Sequence, residues 1–107
     1  MQDVQPTPLS STVQVLGDKW TPLIIEALSS GPLRFGQLSH QTGGVCPRTL
    51  SKRLAFLEET GIITKKTFAE IPPHTEYTLT EKGRKLLPIL KSMIEWSRQY
   101  APEDLCC

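Results

Sequence analysis

Apolar positions along this chain recur at helical spacing in its first half. Val13 and Leu16 mark a short first helix, capped by Ser10 or Ser11 and ended by Gly17. Trp20, Leu23, Ile24, Ala27 and Leu28 mark a second. Either Asp18 caps it with Pro22 in the first turn, or Thr21 caps it with Pro22 at the first position. Gly31-Pro32 stops it. A third, short helix is expected from Phe35 to about Thr42, with Phe35 and Leu38 inward, and Gly43-Gly44 breaks it. A fourth is expected over Pro47–Thr60, started by proline and ended by Gly61.

The period then changes. Ile62–Phe68 and Thr75–Leu79 are rich in Ile, Thr, Phe and Tyr, as strands are, and the Ala-Glu-Ile-Pro-Pro-His segment between them makes a hairpin with an extended tip. Thr80 and Glu81 open a long last helix to about Tyr100, in which Pro88 should cause a kink. The expected fold class is α+β, mainly α, a winged helix-turn-helix with N-terminal and long C-terminal dimerisation helices. Residues 1–9 read as a polar arm, 10–101 as the domain and 102–107 as a tail.

The fourth helix has two faces. At about 100° per residue, Leu50, Leu54 and Leu57 share one side, and Arg48, Ser51, Lys52 and Ala55 lie opposite. Phe56 falls outside both sets. The third and fourth helices, joined by Gly43-Gly44-Val45-Cys46, have the layout of a helix-turn-helix, whose second helix enters the DNA major groove. Arg48, Thr49, Ser51 and Lys52 suit that position, and Arg53 on the flank suits a phosphate. Lys65 and Lys66 on the hairpin, with His74 near its tip, suit the DNA backbone as a wing does. A basic helix face alone is most often just a solvated surface; the ordered conjunction of Gly turn, Pro-started basic helix and lysine-bearing hairpin is what points to DNA.

Charge sharpens this picture. The 107 residues carry a net charge of only +1, which taken alone argues against a nucleic-acid binder. Residues 34–66, however, hold six basic and two acidic side chains, a local +4 over the helix-turn-helix and first wing strand. The remainder sums to −3. The length fits one domain.

Other function classes fare less well. No run approaches a membrane span of about 20 apolar residues, and residues 1–8 lack the features of a signal peptide. Three cysteines, two adjacent at Cys106-Cys107, do not form a secreted disulfide framework, so a reducing cytoplasm is the expected compartment. No phosphate loop, dinucleotide fingerprint or zinc-ligand spacing occurs, and no cofactor or metal is implied. Glu70, Glu76 and His74 are the only clustered acid–base candidates, and a hairpin tip is too exposed for tuned catalysis. His40 and His74 read as solvated histidines before metal ligands. A protein-interaction module with an acidic partner on the +4 patch is the alternative from another class. Cys46 reads either as a small residue tolerated at a helix cap or as a redox-active thiol, since a helix N-terminus beside Arg48 favours thiolate.

The last helix implies a partner. Leu86, Leu87, Ile89, Leu90, Met93, Ile94, Trp96 and Tyr100 cover about half its circumference, more than one small domain can bury. The excess suggests a dimer seam shared with the first helix, through Val13, Leu16, Ile89, Met93, Trp96 and Tyr100.

The segment Gly17-Asp18-Lys19-Trp20-Thr21-Pro22-Leu23-Ile24-Ile25 followed by Gly31-Pro32-Leu33-Arg34-Phe35-Gly36-Gln37-Leu38 resembles the signature of HxlR-type winged-helix transcriptional regulators in the MarR-like superfamily. Leu50-Ser51-Lys52-Arg53-Leu54, Ile71-Pro72-Pro73-His74-Thr75-Glu76-Tyr77-Thr78-Leu79-Thr80 and Gly83-Arg84 continue in the same register. The resemblance implies a homodimer on a pseudo-palindromic operator, a recognition helix over Arg48–Thr60, a wing over Lys65–Glu76 and a phosphate contact at Arg34. Two departures stand out. Redox-sensing members carry a cysteine in the N-terminal arm, and residues 1–17 here contain none. Cys46 and His74 replace the serine and arginine that members commonly have, and histidine is the weaker cation.

Overall fold

The computed structural model describes residues 7–100; the expectations for residues 1–6, the 102–107 tail and Cys106-Cys107 lie outside them. Its elements are α1 (Pro8–Leu16), α2 (Thr21–Ala27) with a 3-10 turn (Leu28–Ser30), β1 (Leu33–Arg34), α3 (Phe35–Gln41), α4 (Pro47–Glu59), β2 (Ile63–Phe68), β3 (His74–Leu79), α5 (Glu81–Arg84) and α6 (Leu87–Tyr100). The expected α+β winged helix-turn-helix is present. Helix α1 starts earlier than its serines suggest. Thr7 caps it reciprocally with Ser10: the Ser10 amide donates to Thr7 Oγ1 at 3.0 Å and the Thr7 amide to Ser10 Oγ at 2.8 Å.

Local chemistry sets each boundary. Asp18 Oδ2 accepts the Trp20 and Thr21 amides at 2.9 and 3.1 Å, satisfying donors that open α2. Between α3 and α4, Gly43 and Gly44 take φ of +90° and +85°, left-handed values that glycine adopts without a Cβ penalty. Val45 then drops into the core. Thr80 joins two elements: its hydroxyl accepts the Gly83 amide at the start of α5 and lies 2.6 Å from the Gly61 carbonyl, to which it donates.

The last helix is divided rather than kinked. Helix α5 ends at Arg84, Lys85 and Leu86 form a turn, and α6 restarts at Leu87. Pro88 therefore sits in the first turn of a new helix, where its missing N–H has no intrahelical acceptor to lose.

The sheet runs β1-β3-β2, antiparallel throughout. Strand β1 is the element that periodicity does not anticipate: Leu33 pairs with Tyr77 and Arg34 with Glu76. Ile24, Ile25, Leu28, Leu38, Val45, Leu50, Leu54, Leu57, Ile62, Ile63, Leu79 and Leu90 form one core, which seats α3 and α4 against α2 and the base of the hairpin. No helix among the described residues is long and apolar enough to cross a membrane.

Candidate nucleic-acid interface

Helix α4 buries Leu50, Leu54 and Leu57 and turns the opposite face to solvent. Arg48, Ser51 and Lys52 are exposed and Thr49 is half-exposed, as the two-faced pattern requires. Among the described residues neither Arg48 nor Lys52 enters an ion pair, so both charges are open to an external anion.

Arg53 differs. The expectation of a phosphate contact meets a side chain turned back onto α2. Its Nε donates to Thr21 Oγ1 at 3.0 Å, its Nη2 lies 3.1 Å from Asp18 Oδ1, and its guanidinium sits 4.6 Å from the Phe56 ring centroid. The two paired atoms are shielded from solvent, each facing the other. This also accounts for Phe56, which packs partly against the core under the guanidinium plane. Arg53 thus ties α4 to Thr21 at the start of α2 and to Asp18 just ahead of it. Its partner Asp18 lies in the Gly17–Trp20 segment, and nothing in the local pattern of α4 signals contacts to residues 32 and 35 positions earlier.

Burial works against the Asp18 carboxylate, but the Thr21 hydroxyl, the Trp20 and Thr21 amides and the Arg53 charge outweigh it and hold its carboxyl below the ordinary value. A depressed carboxylate contributes stability above its unfolded pKa and loses it as pH falls through the folded value. Asp18→Asn is therefore expected to cost about 1–2 kcal/mol at neutral pH. That deficit should shrink below pH 3.8, the unperturbed value. Urea unfolding of both proteins across this range checks it; a deficit that stays constant in acid would contradict the assignment.

The wing divides its lysines. Lys65 stands opposite Tyr77 and Lys66 opposite Glu76, so successive side chains point to opposite faces of the ribbon. Lys66, Glu76 and Arg34 form one row across the three strands, with the exposed Arg34 on the edge. Lys65 lies on the face that continues toward buried Ile63 and Leu79. One face of the wing can therefore present Arg34 and Lys66 together, but not both lysines.

His74 is also engaged. Its ring stacks on Phe68 at 4.7 Å, Nδ1 lies 3.2 Å from Glu70 Oε1, and Nε2 lies 3.1 Å from Glu76 Oε2. The expected backbone cation is held between two carboxylates. The three side chains grouped as acid–base candidates do meet, but as a clamp across the hairpin, each carboxylate on a different ring nitrogen.

Cys46 occupies the N-cap of α4, exposed, with Sγ 3.2 Å from Thr49 Oγ1. The Thr49 hydroxyl, then the amides of Thr49 and Arg48, favour the thiolate and lower its pKa. The thiol thus borders the face carrying Arg48 and Lys52.

On the other side of the molecule, α6 buries only Leu90. Val13, Ile89, Met93, Trp96 and Tyr100 are exposed, as expected of seam residues, and so are Leu9 and Ile94. Leu16 instead packs partly against the subunit's own core.

Comparison with known proteins agrees with this architecture. The HxlR-like helix-turn-helix family matches residues 15–105. An HTH-type transcriptional regulator of Halalkalibacterium halodurans is 39% identical over 97 residues, covering 90% of this chain and 86% of that protein. The HTH-type transcriptional regulator YodB of Bacillus subtilis is 34% identical over 100 residues, 92% of this chain and 89% of YodB. Among solved structures, a MarR-family transcriptional regulator of Porphyromonas gingivalis superposes with a TM-score of 0.84 at 32% identity, covering 92% of this chain and 97% of that one. The redox regulator HypR in its oxidised form gives 0.82 at 33% identity, covering 88% and 97%. Matched along most of its length by family, relatives and fold, the chain belongs to the HxlR-like helix-turn-helix family of transcriptional regulators.

Proposed function

We propose that this protein is a sequence-specific DNA-binding regulator acting as a homodimer, with α4 in the major groove and the wing on the adjacent backbone. The observation that carries the reading is the α4 face, where Arg48, Ser51 and Lys52 project from a helix seated on the core by three leucines. Two of these side chains are long, unpaired donors suited to base edges or phosphates. Arg34 and Lys66 supply backbone contacts, while Arg53 positions the helix. The family and the relatives named above support the DNA-binding function, and no observation favours a catalytic role or a purely protein-binding module.

Dimerisation is supported by α6. A 14-residue helix that buries one side chain and exposes Ile89, Met93, Ile94, Trp96 and Tyr100 is stable in water when another surface covers it. A groove of about 420 Å³ between α2 and α6, lined by Leu23, Leu90, Met93 and Ile94, continues that surface. A two-fold seam there would present two α4 helices to half-sites about one DNA turn apart. Cys46 enters this reading as the candidate redox thiol, bordering the groove-facing residues.

The test separates base reading from charge. Lys52→Ala is expected to weaken binding to the preferred duplex by about 1–3 kcal/mol and to relax sequence preference there. Lys66→Ala should weaken preferred and random duplexes alike and flatten the salt dependence by about one unit. Fluorescence anisotropy over a salt series measures both. Equal losses on both duplexes for Lys52→Ala would contradict its place in the groove.

A further inference from the structure

The wing tip lacks what a backbone-contacting tip needs. Residues 67–75 contain no lysine or arginine, and their sole candidate cation, His74, is held by Glu70 and Glu76 and stacked on Phe68. What the tip offers is apolar. Ala69, Ile71, Pro72 and Pro73 are all exposed, and Ile71 at the apex has 102% relative exposure, touching nothing of its own subunit.

This apex is also held in place. The Thr67 and Thr75 hydroxyls meet across the strands at 3.2 Å, the Glu70 amide donates to the Phe68 carbonyl at 2.9 Å, and the Glu70–His74 contact closes the base of the turn. Two successive prolines restrict the backbone beside Ile71. An apolar side chain displayed on a stiff support loses little entropy when a partner covers it. The Glu70 carboxylate points back onto the His74 ring and not toward Ile71.

We propose that Ile71, with the two prolines that follow it, is the DNA contact of the wing tip, pressing into the minor groove as an apolar wedge. The proposal rests on the DNA-binding reading and changes what its wing does: Arg34 and Lys66 at the base act by charge, whereas the apex acts by shape. Apolar residues of this kind, isoleucine and proline included, insert between base steps in the minor groove. The groove is about 6 Å wide, too narrow for a two-stranded ribbon but open to a single branched side chain carried at its apex. Continuity favours DNA over a protein partner, because the apex extends the same ribbon that carries Lys66.

The probe is the duplex that the full-length protein enriches from a random pool. Ile71→Ser is expected to lower affinity for it about tenfold, the scale of one isoleucine leaving an apolar contact, with the salt dependence unchanged. Ile71→Leu should retain the affinity. Hydroxyl-radical footprinting should lose protection of the sugars flanking the major-groove half-sites in Ile71→Ser alone. Thermal unfolding of the two variants should match the parent, since the side chain supports nothing in its own subunit. If the parent binds the duplex and Ile71→Ser binds it equally with the same footprint, the wedge is overturned and the apex is left as a surface for a protein. If the parent enriches no duplex, the DNA-binding reading itself fails, and the wedge with it.

Discussion

Met93→Glu is expected to yield a folded monomer that binds the preferred duplex about a hundredfold more weakly than the parent, because linked half-sites gain affinity through effective concentration. Met93 is exposed within its subunit, so the substitution removes no core contact. In a dimer built on α6 it would sit among Ile89, Ile94 and Trp96, where an unpaired carboxylate is strongly disfavoured. Two predictions are coupled here. Sedimentation should report one species at half the parent mass at micromolar concentration, and binding should become first-order in protein with half the footprint. A variant that remains dimeric and binds like the parent would place the seam elsewhere.

Gly83→Val should produce the largest loss of stability, about 3 kcal/mol or more, at the upper end of overpacking costs. Gly83 is buried in α5, and a Cβ there would collide with the Ile62 backbone carbonyl and press on Leu79 Cδ2 at 3.0 Å and Ile62 Cγ2 at 3.1 Å. The obstacle is backbone at the root of the wing, which cannot swing aside as a side chain can. Gly36 is the matched control. It lies within α3 with open space where a Cβ would go, so Gly36→Ala should stabilise by about 0.5–1 kcal/mol through helix propensity. In thermal unfolding at fixed protein concentration, Gly83→Val should fall by about 10 °C or more while Gly36→Ala holds or rises. Comparable stability in the two variants would refute the close approach of α5 to Ile62 and to the end of β3.

What the chain disclosed in advance, and what it concealed, follow from the range of the interactions. Periodicity within α2, α4 and the hairpin is local, so their faces and most of their boundaries were legible. Leu50, Leu54 and Leu57 are buried, and Arg48, Ser51 and Lys52 are exposed, as their spacing requires. Strand β1 was not legible, because two residues cannot display an alternation and its pairing with β3 is long-range. Arg53 was misplaced for the same reason. A helical projection puts it on a polar flank, but its meeting with Asp18 and Thr21 depends on how α2 packs against α4. His74 was taken for a free cation because sequence order cannot show that Glu70 and Glu76 close on it from both sides. Pro88 was read as a kink within one helix, whereas the turn at Lys85-Leu86 lets a second helix begin just ahead of it.

The net charge of +1 now has a structural meaning. The wing's positive side chains are interleaved with Glu70 and Glu76, and Arg53 is held inside the fold, so on the helix-turn-helix and the wing the open cations are Arg34, Arg48, Lys52, Lys65 and Lys66. Such a surface is expected to bind random DNA weakly and to leave discrimination to α4 and the shape of the site.

The central claim is that two copies of α4 read a two-fold DNA site. Selection of bound duplexes from a random pool by the full-length protein tests it most directly. An enriched inverted repeat, its half-sites centred about one helical turn apart, is the result expected; a pool that emerges without enrichment, or with a single asymmetric motif bound by a monomer, would contradict it.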